Sequence, residues 1–135
     1  MALRIEDYAI IGDTHTAALV GLDGSIDWLC LPRFDSGACF AALLGTPDHG
    51  CWRISPVDPV MSVTRRYRGT TLVLETEFTT STGTVRIVNC MPPRQADPAV
   101  IRVVEGVSGE VAMQMALRIR FDYGSIIPSV RPIDG

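Results

Sequence analysis

The sequence predicts an all-β protein: an antiparallel β-sandwich with one short helix near residues 37–44. Gly and Pro clusters bound short apolar runs along the whole chain. An Asp23-Gly24 pair stands between two of those runs, a strong local hairpin signal. The second half alternates apolar and polar residues with a period of two.

The elements follow in chain order. Apolar runs at 8–11, 16–20 and 26–31 read as strands, and residues 8–32 read as a hairpin closed at Asp23-Gly24. Both turn residues tolerate the positive φ of a type I′ turn. Pro32 ends the strand because it cannot donate to a ladder. Ser36 is placed to cap a helix carrying Ala38, Phe40, Leu43 and Leu44, with Gly45 as its stop. Residues 52–54 form a short strand before Pro56. Leu72, Leu74, Thr76 and Phe78 then share one strand face, with Glu75 and Glu77 on the other, expected to be solvated. Ser81-Thr82-Gly83 makes a turn, Val85, Ile87 and Asn89 return, and Pro92-Pro93 breaks the pattern. Ile101, Val103 and Val107 resume it. The longest alternation sets Val111, Met113, Met115, Leu117, Ile119 and Phe121 on one face, a half-buried strand with that face in the core. The closing Asp134-Gly135 reads as a turn whose second strand is missing, so the chain is expected to be a truncated part of a larger sandwich. An unpaired edge of that kind templates pairing with another chain.

A length of 135 residues fits one domain with its own core. With 47% hydrophobic and 20% charged residues it reads as globular. A net charge of −3 gives no electrostatic case for nucleic acid. No apolar run is long enough to span a bilayer, and the N-terminus lacks the basic-then-apolar order of a signal peptide, so a cytoplasmic location is expected. Cys30, Cys39, Cys51 and Cys90 form no CxxC pair. His15 and His49 complete no zinc pattern, although His49 lies two residues from Cys51. No metal and no cofactor is expected.

Few constellations could carry chemistry. Asp13, Asp23, Asp27 and Asp35 cluster early, and a glycosidase needs two carboxyls. Yet Asp23 has a turn role, and Asp27 is expected to face solvent or cap a neighbour. His15, Ser36 and Asp35 form no nucleophile elbow. The Arg65-Arg66-Tyr67-Arg68 run reads as a solvated strand end. No phosphate-cradling motif occurs. The segment from Trp28 to Ser36 is richer. Arg33 and Asp35 can pair around Phe34, and an aromatic flanked by Arg and Asp suits sugar binding. The competing reading is a structured loop with Phe34 in the core and the ion pair outside.

Residues 11–45, IGDTHTAALVGLDGSIDWLCLPRFDSGACFAALLG, resemble the opening of bacterial family-15 glycoside hydrolases, which include glucoamylases, glucodextranases and bacterial-type trehalases. HGCWRISP, RRYRGTTLVLETEF and RFDYG extend the resemblance over essentially the whole chain. It implies that residues 1–135 are a single N-terminal β-sandwich domain, with a catalytic (α/α)6 barrel expected downstream and absent here. The acid and base of such inverting enzymes are barrel glutamates, so no catalytic residue is assigned in this chain. The implied partners are the downstream barrel of the same polypeptide and, for the full-length enzyme, an α-glucoside substrate of glucoamylase or trehalase type. Arg33, Phe34 and Asp35 are the candidates for the domain interface or the rim of the substrate cleft, with Asp13, His15 and Trp28 behind them. The alternatives are a stand-alone carbohydrate-binding module and a structural module that forms homo-oligomers through its unpaired edges.

Overall fold

The computed structural model describes residues 3–129 and 131–132, so the proposed turn at Asp134-Gly135 lies outside the described residues. Among the described residues, ten strands form two antiparallel sheets. The first sheet runs β1 (Tyr8–Gly12), β2 (Ala17–Gly21), β3 (Ser25–Cys30), β5 (Cys51–Pro56) and β10 (Met113–Arg118), with β4 (Ala38–Phe40) paired to the end of β3. The second runs β6 (Ser62–Tyr67), β7 (Leu74–Thr79), β8 (Gly83–Cys90) and β9 (Ile101–Gly109).

The core lies between the sheets, where the alternation predicts it. Ile11, Ala18, Val20, Ile26 and Leu29 of the first sheet meet Leu74 of β7 and Met91. Ile54 of β5 meets Phe78, Val85 and Ile87. Arg102 ties the sheets together. Its guanidinium donates to Asn89 Oδ1 (2.7 Å), Trp52 O (2.5 Å) and Gly24 O (2.6 Å) and lies 5.1 Å over the Trp52 ring. Burial lowers its pKa to about 10.

Several local expectations need correction. The 8–32 segment holds two hairpins, β1–β2 and β2–β3, rather than one. The second closes through Leu22-Asp23-Gly24 with only Gly24 at positive φ (83°), and Gly24 N donates to Gly21 O (3.0 Å). That is the longer hairpin loop ending on a left-handed glycine, not a type I′ turn. Gly24 is required twice over, since a Cβ there would sit 2.1 Å from Ile54 O.

The helix at 37–44 is not formed. Residues 38–40 pair with β3 instead, and only a single 3₁₀ turn, Ala42–Leu44, follows. Ser36 does not cap a helix. Its Oγ accepts from Arg33 N (3.1 Å), closing the loop before it. Local helix propensity lost to an open edge of β3, a tertiary override of a short signal.

The second-half alternation is right about the inner faces of β7 and β8, although Leu72 lies before β7 and is exposed, and wrong about the outer face of β7 and about β9 and β10. Glu75 is buried (4% exposed), held by Arg66 Nε (2.8 Å) and Arg68 Nε (2.6 Å). These two guanidinia keep its carboxyl below the usual range. The basic run is thus not merely a solvated strand end. Tyr67 Oη accepts from Ile10 N (3.1 Å) and donates to Ile10 O (2.8 Å), and Arg65 donates to Val20 O (3.1 Å). On that flank the free edge of β1 is blunted by side chains. The opposite flank is bare. β10 spans only Met113–Arg118, and Met115 is 64% and Leu117 47% exposed where a core face is predicted. Ile101, Val103, Val104 and Val107 of β9 are exposed as well.

Candidate functional site: a braced loop cluster at the end of the sandwich

Asp13 organises the turn between β1 and β2. Its Oδ1 accepts from the backbone N–H groups of His15 (2.9 Å) and Thr16 (2.9 Å), which holds Thr14 at φ 75°. Its side chain is wholly buried, and Oδ2 accepts from Arg94 Nε at 2.8 Å. Burial alone would raise the Asp13 carboxyl. Arg94 and the two backbone donors outweigh it and leave the pKa below the ordinary 3.8.

Arg94 reaches a second loop. Its Nη2 donates to Pro32 O (2.5 Å). Phe34 N donates to His15 O (3.0 Å), so residues 13–16, 31–36 and 91–94 form one cluster. The Arg33–Asp35 pair forms as the spacing suggests, at 3.4 Å between exposed side chains. Phe34 is 62% exposed, so the reading that buries it in the core fails. Arg33, Phe34, Asp35 and His15 therefore border solvent together, with Asp13 as the buried brace behind them.

Trp28 does not join them. It packs on the small cluster of Cys30, Ala38 and Ala41, with its ring 6.0 Å from that of Tyr123. Arg94 is the member that the sequence reading missed. The only signal was its place just after Pro92-Pro93, where a chain break carries a lone cation. His49 is not aimed at Cys51: its Nδ1 accepts from Thr46 N (3.1 Å), and Cys51 is buried.

A second feature lies on the bare flank. Leu31, Phe40, Trp52, Val100, Ile119 and Phe121 line much of an open cleft of about 290 Å³ whose walls are almost entirely apolar. Neither place brings together two carboxyls with a protonated acid between apolar walls, as glycoside hydrolysis requires. What the fold and site define is a β-sandwich domain with a built loop rim and an open apolar flank, and among the described residues neither place carries an acid–base pair.

Comparison gives this class a family. The profile of the trehalase-like N-terminal domain matches residues 1–132, and the chain belongs to that family. Among curated relatives, a trehalase of Thermoplasma volcanium is 33% identical over 133 residues, covering 94% of this chain and 21% of that protein. Trehalase 1 of Sulfolobus acidocaldarius is 36% identical over 132 residues, covering 98% of this chain and 22% of its own length. A trehalase of Mycobacterium tuberculosis is 30% identical over 138 residues, covering 88% and 20%. The chain thus spans about a fifth of the length of the curated relatives it matches. No solved structure matches it significantly.

Proposed function

We propose that this chain is the non-catalytic β-domain of an inverting α-glucoside hydrolase acting on trehalose or a maltose-type substrate, in a cytoplasmic setting. Its role is to dock on a downstream catalytic barrel. The observation that carries the reading is the bare flank. Large apolar side chains on β9 and β10 and the apolar cleft beside them stand open, in a chain whose relatives are about five times longer. Exposed apolar patches of this kind mark interaction surfaces. The braced loop carrying Arg33, Phe34 and Asp35 then serves as the domain interface or cleft rim.

The test compares Leu117→Asp in two settings. Leu117 is half exposed on an edge strand, so the 135-residue chain should keep its denaturation midpoint. The longer polypeptide should lose stability and hydrolytic activity, because a charge then faces the docked barrel. An unaffected long polypeptide overturns the docking role. Arg33→Ala in the same polypeptide should lower kcat/KM with little change in stability if the loop rims the cleft. The same bare flank also suits self-association through unpaired edges. Light scattering on the isolated chain decides that point, with a clean monomer at high concentration ruling it out.

A further inference from the structure

The outer face of the first sheet carries a pocket that shares no residue with the loop cluster or the apolar cleft. Its origin is a bulge in β3. Leu19 pairs with Trp28 but Val20 pairs with Ile26, so Asp27 is the extra residue. Bulges re-aim a side chain, and here Asp27 joins the outer face. Ser25 pairs with Arg53, Arg53 with Ala116, and Cys51 with Arg118, so one face of three neighbouring strands supplies the floor. Ala42, Gly45, Pro47 and Asp23 complete its lining. The volume of this open pocket is about 230 Å³. That equals the liquid share of roughly eight waters, which is room for one six-membered sugar ring.

The polar groups are built in but not used up. Asp27 is buried, and its carboxylate accepts from Tyr8 Oη (2.6 Å) and Ser25 Oγ (2.5 Å), both neutral donors. Among the described residues, neither Asp23 nor Asp27 forms an ion pair, and the Arg53 guanidinium donates no hydrogen bond. Arg118 is engaged at the rim by Asp48 (2.8 Å). Asp23, Asp27 and the solvent-exposed Arg53 thus line one void, with the Arg53 charge acting on Asp23 but no hydrogen bond between them.

That donor set selects a ligand class. Two carboxylates disfavour an anion, and two guanidinia disfavour an ammonium group. Among the described residues no three His, Cys, Asp or Glu side chains are grouped to hold a metal ion. A neutral polyol fits, since each hydroxyl both donates and accepts. The aliphatic surfaces of Ala42, Pro47 and Ala116 suit the C–H face of a ring. We propose that this pocket binds one pyranose ring of a neutral sugar, with Asp23 and Asp27 accepting from its hydroxyls and Arg53 donating to them. The site is independent of catalysis and of the docking flank.

The experiment is calorimetric titration of the 135-residue protein with glucose, with trehalose and with inorganic phosphate. Glucose or trehalose should give saturable binding, and phosphate none. Ala116→Phe, on an exposed strand position, should abolish sugar binding by filling the void. Arg53→Gln should weaken it about ten-fold by removing a charge-assisted donor. The denaturation midpoints of both variants should match that of the unmodified protein; if Ala116→Phe does not fold, Arg53→Gln carries the test. Absence of saturable sugar binding, binding that survives both substitutions, or a preference for phosphate overturns the proposal. Because the readout is binding by this chain, failure here leaves the hydrolase reading standing, and failure of that reading leaves the pocket standing.

Discussion

Removing the guanidinium of Arg94 should disorganise the whole loop cluster. Arg94 is 13% exposed and bonds a wholly buried carboxylate at 2.8 Å, so Arg94→Ala leaves Asp13 as a buried charge without its cation. Breaking a buried pair from one side costs about 3–5 kcal/mol. Asp13 keeps its two backbone donors, which places the expected loss at the lower end, about 3 kcal/mol. Urea denaturation at neutral pH reads it directly as a lower midpoint at unchanged slope. The pH dependence supplies a second reading. The folded-state pKa of Asp13 lies below the ordinary 3.8, so its contribution is complete above about that pH and is lost as pH falls through the folded value. Arg94→Ala should shrink that acid-side loss, because the folded and unfolded pKa values then lie closer together. A double-mutant cycle with Asp13→Asn should show coupling of more than about 1 kcal/mol. A single-mutant loss below about 1 kcal/mol, with no coupling, refutes the bracing role.

Three further outcomes follow from the same geometry. Gly24→Val should destabilise by about 3 kcal/mol or more, since it adds a left-handed-backbone penalty to a direct clash with Ile54 O; a thermal melt within a degree or two of the unmodified protein contradicts this. Arg102→Leu should cost about 3 kcal/mol by stripping Asn89 and two carbonyls of their donor, measured by urea denaturation. Glu75→Gln should remove part of the acid-side destabilisation, because the lowered pKa of Glu75 gives stability that is present above its ordinary 4.5 and lost below it; an unchanged stability–pH profile counts against the Arg66–Glu75–Arg68 clamp.

The sandwich was legible because its inner faces obey the period-two rule. Leu74, Thr76 and Phe78, like Val85, Ile87 and Asn89, are buried together where the alternation puts them. The misreadings share a cause: each turned on a partner distant in sequence. Residues 38–40 have a helical look, but the open end of β3 claims them as a strand. Glu75 alternates like a surface residue and is buried because two arginines converge on it. Met115 and Leu117 alternate like a core face, yet they stay 64% and 47% exposed while Val111, Met113 and Ile119 of the same run pack against the core. In the loop cluster, the Arg33–Asp35 pair follows from local spacing, whereas the exposure of Phe34 does not, since the sequence equally suits a Phe34 buried in the core. The Arg94–Asp13 bond joins residues 81 positions apart, and the place of Arg94 after Pro92-Pro93 does not name its partner. Asp27 lies on the face opposite Ile26, as the alternation has it, but is buried against Tyr8 and Ser25 instead of being left to solvent.

The most direct test is an assay of the 135-residue chain beside the longer polypeptide that the proposal calls for, on trehalose, maltose and isomaltose. The account predicts hydrolysis with inversion by the long polypeptide and none by the chain alone. Turnover by the 135-residue chain would contradict it.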